Sequence, residues 1–169
     1  MLELMVLACL MTSPCHGYEL KRLLSGFNPN NNKIYPLLRK MEKNGYVTFR
    51  EEAVEGRPSR KVYSVTEAGR RRLVEILSDF GGPAASDDEE FYLRVAFFQF
   101  LDKPRIGEIL RKREEALRSY TSDSGVMTGV DRIPDTAYDI RFLKNYVDSR
   151  ISEEIRFINA LREKYGIDK

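Results

Sequence analysis

The chain has 169 residues, 42% hydrophobic and 32% charged, with 11 Gly and 7 Pro. That length can bury one good core or two small ones, and the composition excludes fibrous and intrinsically disordered chains. The net charge of +2 conceals a split: residues 1–80 carry 13 Lys and Arg against 9 Asp and Glu, whereas residues 81–169 carry 15 against 17.

The opening stretch LELMVLACLMTSPC has the length of a signal-peptide apolar region, but it carries Glu3 and no Lys or Arg before the apolar run, so it reads as a core helix. Leu2, Val6, Leu7 and Leu10 recur there at helical spacing. Ser13-Pro14 predicts the end of that helix and the cap of the next, expected from Cys15 to Leu24. Cys9 and Cys15 lack CxxC spacing and a histidine set, so they predict reduced thiols in a cytoplasmic protein, with neither zinc nor a disulfide. No other apolar run approaches the ~18–20 residues of a membrane span, so no membrane association is expected.

Asn28 to Asn32 (NPNNN) is a turn whose side chains can cap a third helix. In that helix Ile34, Leu37, Leu38 and Met41 form one apolar stripe. The opposite face presents Asn32, Arg39 and Lys43, flanked by Lys33, Tyr35 and Lys40. Pro36 tolerates only a first turn, which fixes the helix start near Asn31 to Lys33, although Tyr35, preceding a proline, resists the α region. Asn44-Gly45 is a helix stop. Tyr46 to Phe49 predicts a strand that turns around Glu55-Gly56-Arg57-Pro58 and returns as Lys61 to Val65, a two-stranded wing with Arg57, Arg60 and Lys61 clustered at its tip. Thr66 then caps a fourth helix striped by Leu73, Ile76, Leu77 and Phe80, with Arg70, Arg71 and Arg72 on its exposed side. The small, acidic stretch at 81–90 reads as a linker.

The second half predicts only helices: about 88–101, about 104–120, and about 135–165 after a loop at 125–134. The last is striped by Ile140, Leu143, Val147, Ile151, Ile155, Ile158, Leu161 and Tyr165. At ~1.5 Å per residue this rod reaches about 45 Å, more than a small domain can cover, and a second copy of the chain is the simplest partner.

The expected fold is therefore mainly α with a small two-stranded wing: a winged helix-turn-helix domain at 1–80 and an α-helical dimerisation domain at 87–169. Helix face and wing together offer groups for phosphates and base edges, so Asn32, Lys33, Tyr35, Arg39, Lys43, Arg57, Arg60 and Lys61 are the candidate contacts to double-stranded DNA. A protein-interaction module using the same face is the alternative. No nucleophile set, acid/base pair, phosphate loop or metal-ligand cluster stands out, so neither an enzyme nor a cofactor is expected. His16, the single histidine, reads as structural. Asp87 to Glu90 read as favourable charge at a helix N-terminus. Phe91, Tyr92, Phe98, Tyr138, Phe142 and Tyr146 are candidates to line a site for a small aromatic effector, with dimer and domain core as the competing reading.

HGYEL (His16 to Leu20), IYPLLRKMEKNGYV (Ile34 to Val47) and GRPSRKVYSVTEAGRRRL (Gly56 to Leu73) together resemble the PadR family of transcriptional regulators, in order and spacing, over about residues 2–77. The resemblance implies a winged helix-turn-helix repressor, homodimeric through its C-terminal helices and, in some members, controlled by a small molecule. The helical second half is similar to that of the longer subfamily. Lys33 stands where the family commonly has a small residue, so an operator sequence is not carried over. No effector residue is carried over either, because the second half matches no motif.

Overall fold

The structure is a computed structural model and describes residues 1–25, 33–54, 57–120 and 138–168, with residues 54, 57, 58 and 138–141 described by their backbone alone. The Asn28–Asn32 turn, the wing turn at 55–56 and the loop at 125–134 lie outside the described residues, as do Asn32 and the side chains of Arg57 and Tyr138. The chain divides into two compact units, Met1–Leu77 and Ser78–Lys169.

The first unit begins with α1 (Leu2–Thr12), in which Leu4, Met5, Val6, Leu7, Ala8 and Leu10 are all buried. Five consecutive buried residues cannot lie on one helical stripe, so α1 is a central element rather than a surface helix. Where Ser13-Pro14 predicts an immediate helix start, Cys15–His16 instead forms a short strand, β1. Helix α2 (Gly17–Leu23) starts two residues later, with His16 as its N-cap residue and the Glu19 carboxylate accepting the His16 N–H at 2.8 Å. Burial, followed by the charge of Glu19, pushes the Cys15 thiol up to about 11, so both its reactivity and its metal affinity are low at neutral pH.

Helix α3 (Ile34–Lys43) buries Ile34, Leu38 and Met41, with Leu37 half-buried. Lys33 is its N-cap residue and provides no side-chain cap. Pro36 is the third residue of the helix, where a missing N–H is harmless. At the other end Gly45 (φ 72°) closes the helix: Gly45 N–H donates to Glu42 O and Tyr46 N–H to Met41 O, both at 2.9 Å, the bonding pattern of a Schellman motif.

Strands β2 (Val47–Val54) and β3 (Arg57–Val65) follow. The sheet is antiparallel and three-stranded in the order β1-β3-β2, one strand more than the sequence predicts. Cys15 pairs with Tyr63 and His16 with Val62. In the wing Phe49 opposes Tyr63, Glu51 opposes Lys61 and Glu52 opposes Arg60, with an irregularity between Glu52 and Val54. Helix α4 (Glu67–Ser78) is capped by Thr66, whose hydroxyl accepts the Gly69 N–H at 3.0 Å and donates to the Gly45 carbonyl at 2.6 Å. Gly69 is required: a Cβ there would lie 2.0 Å from the Tyr46 carbonyl oxygen. One threonine and one glycine thus lock the helix after the wing onto the turn before it.

In the second unit the segment read as a linker is ordered structure. Pro83–Ser86 forms α5 and Asp88–Ala96 forms α6, whose N-cap Asp87 accepts the Glu90 N–H at 2.9 Å. Phe80, predicted on the stripe of α4, lies beyond the end of that helix and joins the second unit's core with Phe91, Phe98, Ile106, Leu110 and Ile158. The apolar run predicted as one helix to Leu101 breaks at Phe97, and Phe98–Phe100 forms a 3-10 turn. Helix α7 (Lys103–Ser119) is capped by Asp102 and has Pro104 in its first turn. Helix α8 (Tyr138–Tyr165) has 28 residues. From its middle onward it buries Ile151, Ile158 and Leu161, while Phe142, Leu143 and Tyr146 nearer its start are exposed.

The centre of this unit is ionic. Arg113 of α7 is 1% exposed, and its Nε donates to Glu154 of α8 at 2.7 Å, one Nη to the Ala85 carbonyl at 2.9 Å, and the other Nη to Asp88. Asp88 also accepts from Arg150 at 3.0 Å. Burial opposes the charge on Arg113, but its bonds to Glu154 and Asp88 outweigh that and raise its pKa. One guanidinium therefore ties α5, α6, α7 and α8 together with its donors satisfied.

Candidate nucleic-acid interface

Burying Ile34, Leu38 and Met41 leaves the opposite face of α3 in solvent. Lys33, Tyr35, Arg39 and Lys43 are exposed there, with Arg39 and Lys43 one turn apart. The start of α3 approaches the start of α2, where a Cβ at Gly17 would stand 2.8 Å from Tyr35 Cε1 and 3.5 Å from Tyr63 Cε2. Glycine at 17 is what admits the Tyr35 ring.

Strand β3 brings its basic residues to the same place. Arg60 lies over the Tyr18 ring at 5.6 Å, and Tyr18 stacks on His16 at 5.3 Å. Lys61 Nζ is 3.5 Å from the centroid of the Phe49 ring, a cation–π contact that fixes its direction. Tyr35, Arg39, Arg60 and Lys61, together with His16, Gly17, Tyr18 and Tyr63, line one cleft of about 330 Å³ that has no carboxylate in its lining. Burial and the nearby Glu42 push the Tyr63 phenol up, against the pull of Arg39, so it stays a neutral hydroxyl. Three cations around an aromatic floor with hydroxyl donors suit a phosphate group.

Arg60 and Lys61 do not sit at the wing tip, as the sequence predicts. Strand β3 begins at Arg57, four residues before the predicted start, so both lie well inside the ladder opposite Glu52 and Glu51. Glu52 is further drawn towards Arg50 (3.8 Å) and His16 Nε2 (3.5 Å). His16, which reads from the sequence as structural, completes the cleft together with Tyr18 and Tyr63. HGYEL held the signal, because it places an aromatic pair at a helix start, but only pairing of β1 with β3 brings that start to Arg60.

Of the candidate effector residues, Phe91, Tyr92, Phe98, Phe142 and Tyr146 do not converge on one site. Phe91 and Phe98 are 0% and 1% exposed in the core of the second unit. Tyr92 packs against Phe91 and Phe157, and Phe142 and Tyr146 are 68% and 56% exposed on α8. A cavity of about 520 Å³ does exist in this unit, but it is lined by other residues. Helical periodicity indicates that a stripe is covered and not what covers it.

Three helices, a β-hairpin wing paired to a short third strand, and a basic face on the third helix define a winged-helix domain. The family model for the transcriptional regulator PadR-like family matches residues 6–75, so this chain carries a PadR-like family domain. It is 24% identical over 127 residues to the negative transcriptional regulator PadR of Bacillus subtilis, covering 72% of this chain and 70% of that one. It is also 30% identical over 79 residues to a candidate transcriptional regulator of Mycobacterium tuberculosis, covering 44% of this chain and 42% of that one. Among solved structures it is similar to Bacillus subtilis PadR in complex with operator DNA, at 17% identity, 97% and 98% coverage and a TM-score of 0.46. No helix among the described residues is long and apolar enough to cross a membrane.

Proposed function

We propose that this chain is a DNA-binding repressor that acts as a homodimer on a palindromic site. The observation that carries the reading is the cleft in which Tyr35 and Arg39 of α3 meet Arg60 and Lys61 of β3 without an opposing carboxylate in the lining. Helix α3 enters the major groove with Arg39 and Lys43 towards base edges. The cleft takes a backbone phosphate, and the exposed Lys33 at the start of α3 adds a further cation on the same face, with Asn32 and Arg57 proposed as additional contacts on sequence grounds alone. The exposed Phe142, Leu143 and Tyr146 on α8 support pairing of two copies through the C-terminal helices. The repressor sense is supported by the negative regulator to which the chain is similar. A small-molecule effector that relieves binding is part of this reading and is supported by the cavity in the second unit.

The test is the salt dependence of binding to a duplex, comparing the intact chain with Arg60→Ala/Lys61→Ala. Each lost phosphate contact flattens the log–log salt slope by about 0.9, so a dimer losing the cleft phosphate in each protomer flattens by about 2 and weakens across all sequences. An unchanged slope would remove the cleft from the interface.

A further inference from the structure

The cavity of about 520 Å³ in the second unit is of a size that takes a drug-sized molecule. Leu117 of α7 with Val147 and Ile151 of α8 form an apolar wall, and Tyr120, 43% exposed, stands at its edge. The polar side carries four carboxylates, Asp87, Asp88, Glu89 and Glu154, against two guanidiniums, Arg113 and Arg150. Both guanidiniums are already engaged: Arg113 with Glu154, Asp88 and the Ala85 carbonyl, and Arg150 with Asp88. Among the described residues the Asp87 carboxylate accepts the Glu90 N–H and no cation, and Glu89 has no ionic partner. Glu154 is 7% exposed and gives one oxygen to Arg113. Its other oxygen accepts no hydrogen bond among the described residues.

These facts select the sign of the ligand. Among the described residues an anion would meet four carboxylates against two guanidiniums, of which Arg113 is fully engaged and Arg150 already holds Asp88, and a neutral apolar molecule would bury the second Glu154 oxygen without a donor. A cation supplies the missing donors, and its charge is favoured by a wall of low dielectric around unbalanced carboxylates. We propose that this cavity binds a small organic cation: a primary ammonium or guanidinium group on an apolar body. The head group donates to Glu154 and Glu89 and lies against the Tyr120 ring, and the body lies on Leu117, Val147 and Ile151. The inference deepens the effector reading and rests on it for a biological role, but binding itself is measured separately.

The test is calorimetric titration of the full chain with 4-phenylbutylamine, 4-phenylbutan-1-ol and 4-phenylbutyrate, which share one body and differ in charge. The amine is expected to bind saturably, once per chain, at least about tenfold more tightly than the alcohol, as a charge-assisted hydrogen bond predicts, with the butyrate weakest. Asp87→Asn/Glu89→Gln, which keeps a capping side chain at 87, lowers amine affinity and leaves that of the alcohol unchanged. Val147→Trp weakens both. Equal affinities, tightest binding of the butyrate, no binding of any, or amine affinity untouched by both variants would overturn the proposal. Duplex DNA retention with and without amine is read in parallel: amine bound with DNA retained would remove the effector role and leave the site standing.

Discussion

Replacing Arg113 is the sharpest test of how the second unit is held together. In Arg113→Met the buried Glu154, itself 7% exposed, loses its cation, the Ala85 carbonyl loses its Arg113 donor, and Asp88 keeps only Arg150 of its two guanidinium partners. Breaking a buried pair from one side costs about 3–5 kcal/mol, because a charge is left without compensation. Glu154 borders the cavity, where water can reach its free oxygen, so the lower end of that range is expected. Arg113→Met/Glu154→Leu removes the orphaned charge as well. The remaining defect is the Ala85 carbonyl, at about 1–3 kcal/mol, so the double variant is expected to be more stable than the single one. Urea unfolding followed by far-UV circular dichroism, with amide exchange on α7 and α8 to assign the transition to this unit, reads both values. A single variant within about 1 kcal/mol of the parent, or a double variant no better than the single, would refute the role given to this network.

Gly69→Ala is expected to destabilise the first unit by at least about 1–3 kcal/mol, since the Tyr46 carbonyl would have to move; a melting temperature equal to the parent's would contradict the close seating of α4. Thr66→Ala removes the bond to the Gly69 N–H and is expected to cost about 1 kcal/mol in denaturant unfolding, with Thr66→Ser recovering most of it. Acid should loosen the second unit. The Arg113 hydrogen bond holds the Asp88 carboxyl below its ordinary range, and a lowered folded pKa stabilises above the unfolded value and is lost as pH falls through the folded one. Burial opposes ionisation of Glu114, but hydrogen bonds from Arg118 and Arg162 outweigh it and lower that carboxyl too. Stability of this unit should therefore be flat from neutral pH down to about 5 and decline below about 4; a decline centred near pH 6 would point to another group.

The local chemistry of the first unit is legible in the sequence wherever a single residue has few alternatives. Asn44-Gly45 stops α3, Thr66 caps α4 and Pro36 confines the start of α3, because each acts through its own backbone or that of a near neighbour. What escaped depends on long-range pairing. Cys15–His16 is too short to show a strand period, and it becomes a strand only because β3 is present beside it. The ionic core was also legible in principle. Ile106, Ile109, Leu110, Arg113 and Leu117 keep helical spacing, as do Val147, Ile151, Glu154, Ile158 and Leu161, so Arg113 and Glu154 each occupy an apolar-stripe position. A charge on such a stripe signals a buried pair, whereas an aromatic ring at a helical position, such as Phe91 or Phe98, fits a core as well as a ligand site.

The most direct test of the central claim is a footprint of the intact chain on the DNA flanking its own gene. Protection of two symmetric half-sites centred about one helical turn apart, ~34 Å or ~10 base pairs, is expected, lost at low protein concentration when Arg39 and Arg60 are replaced by Ala. Absence of any protected site, with no salt-dependent retention of duplex DNA, would contradict it.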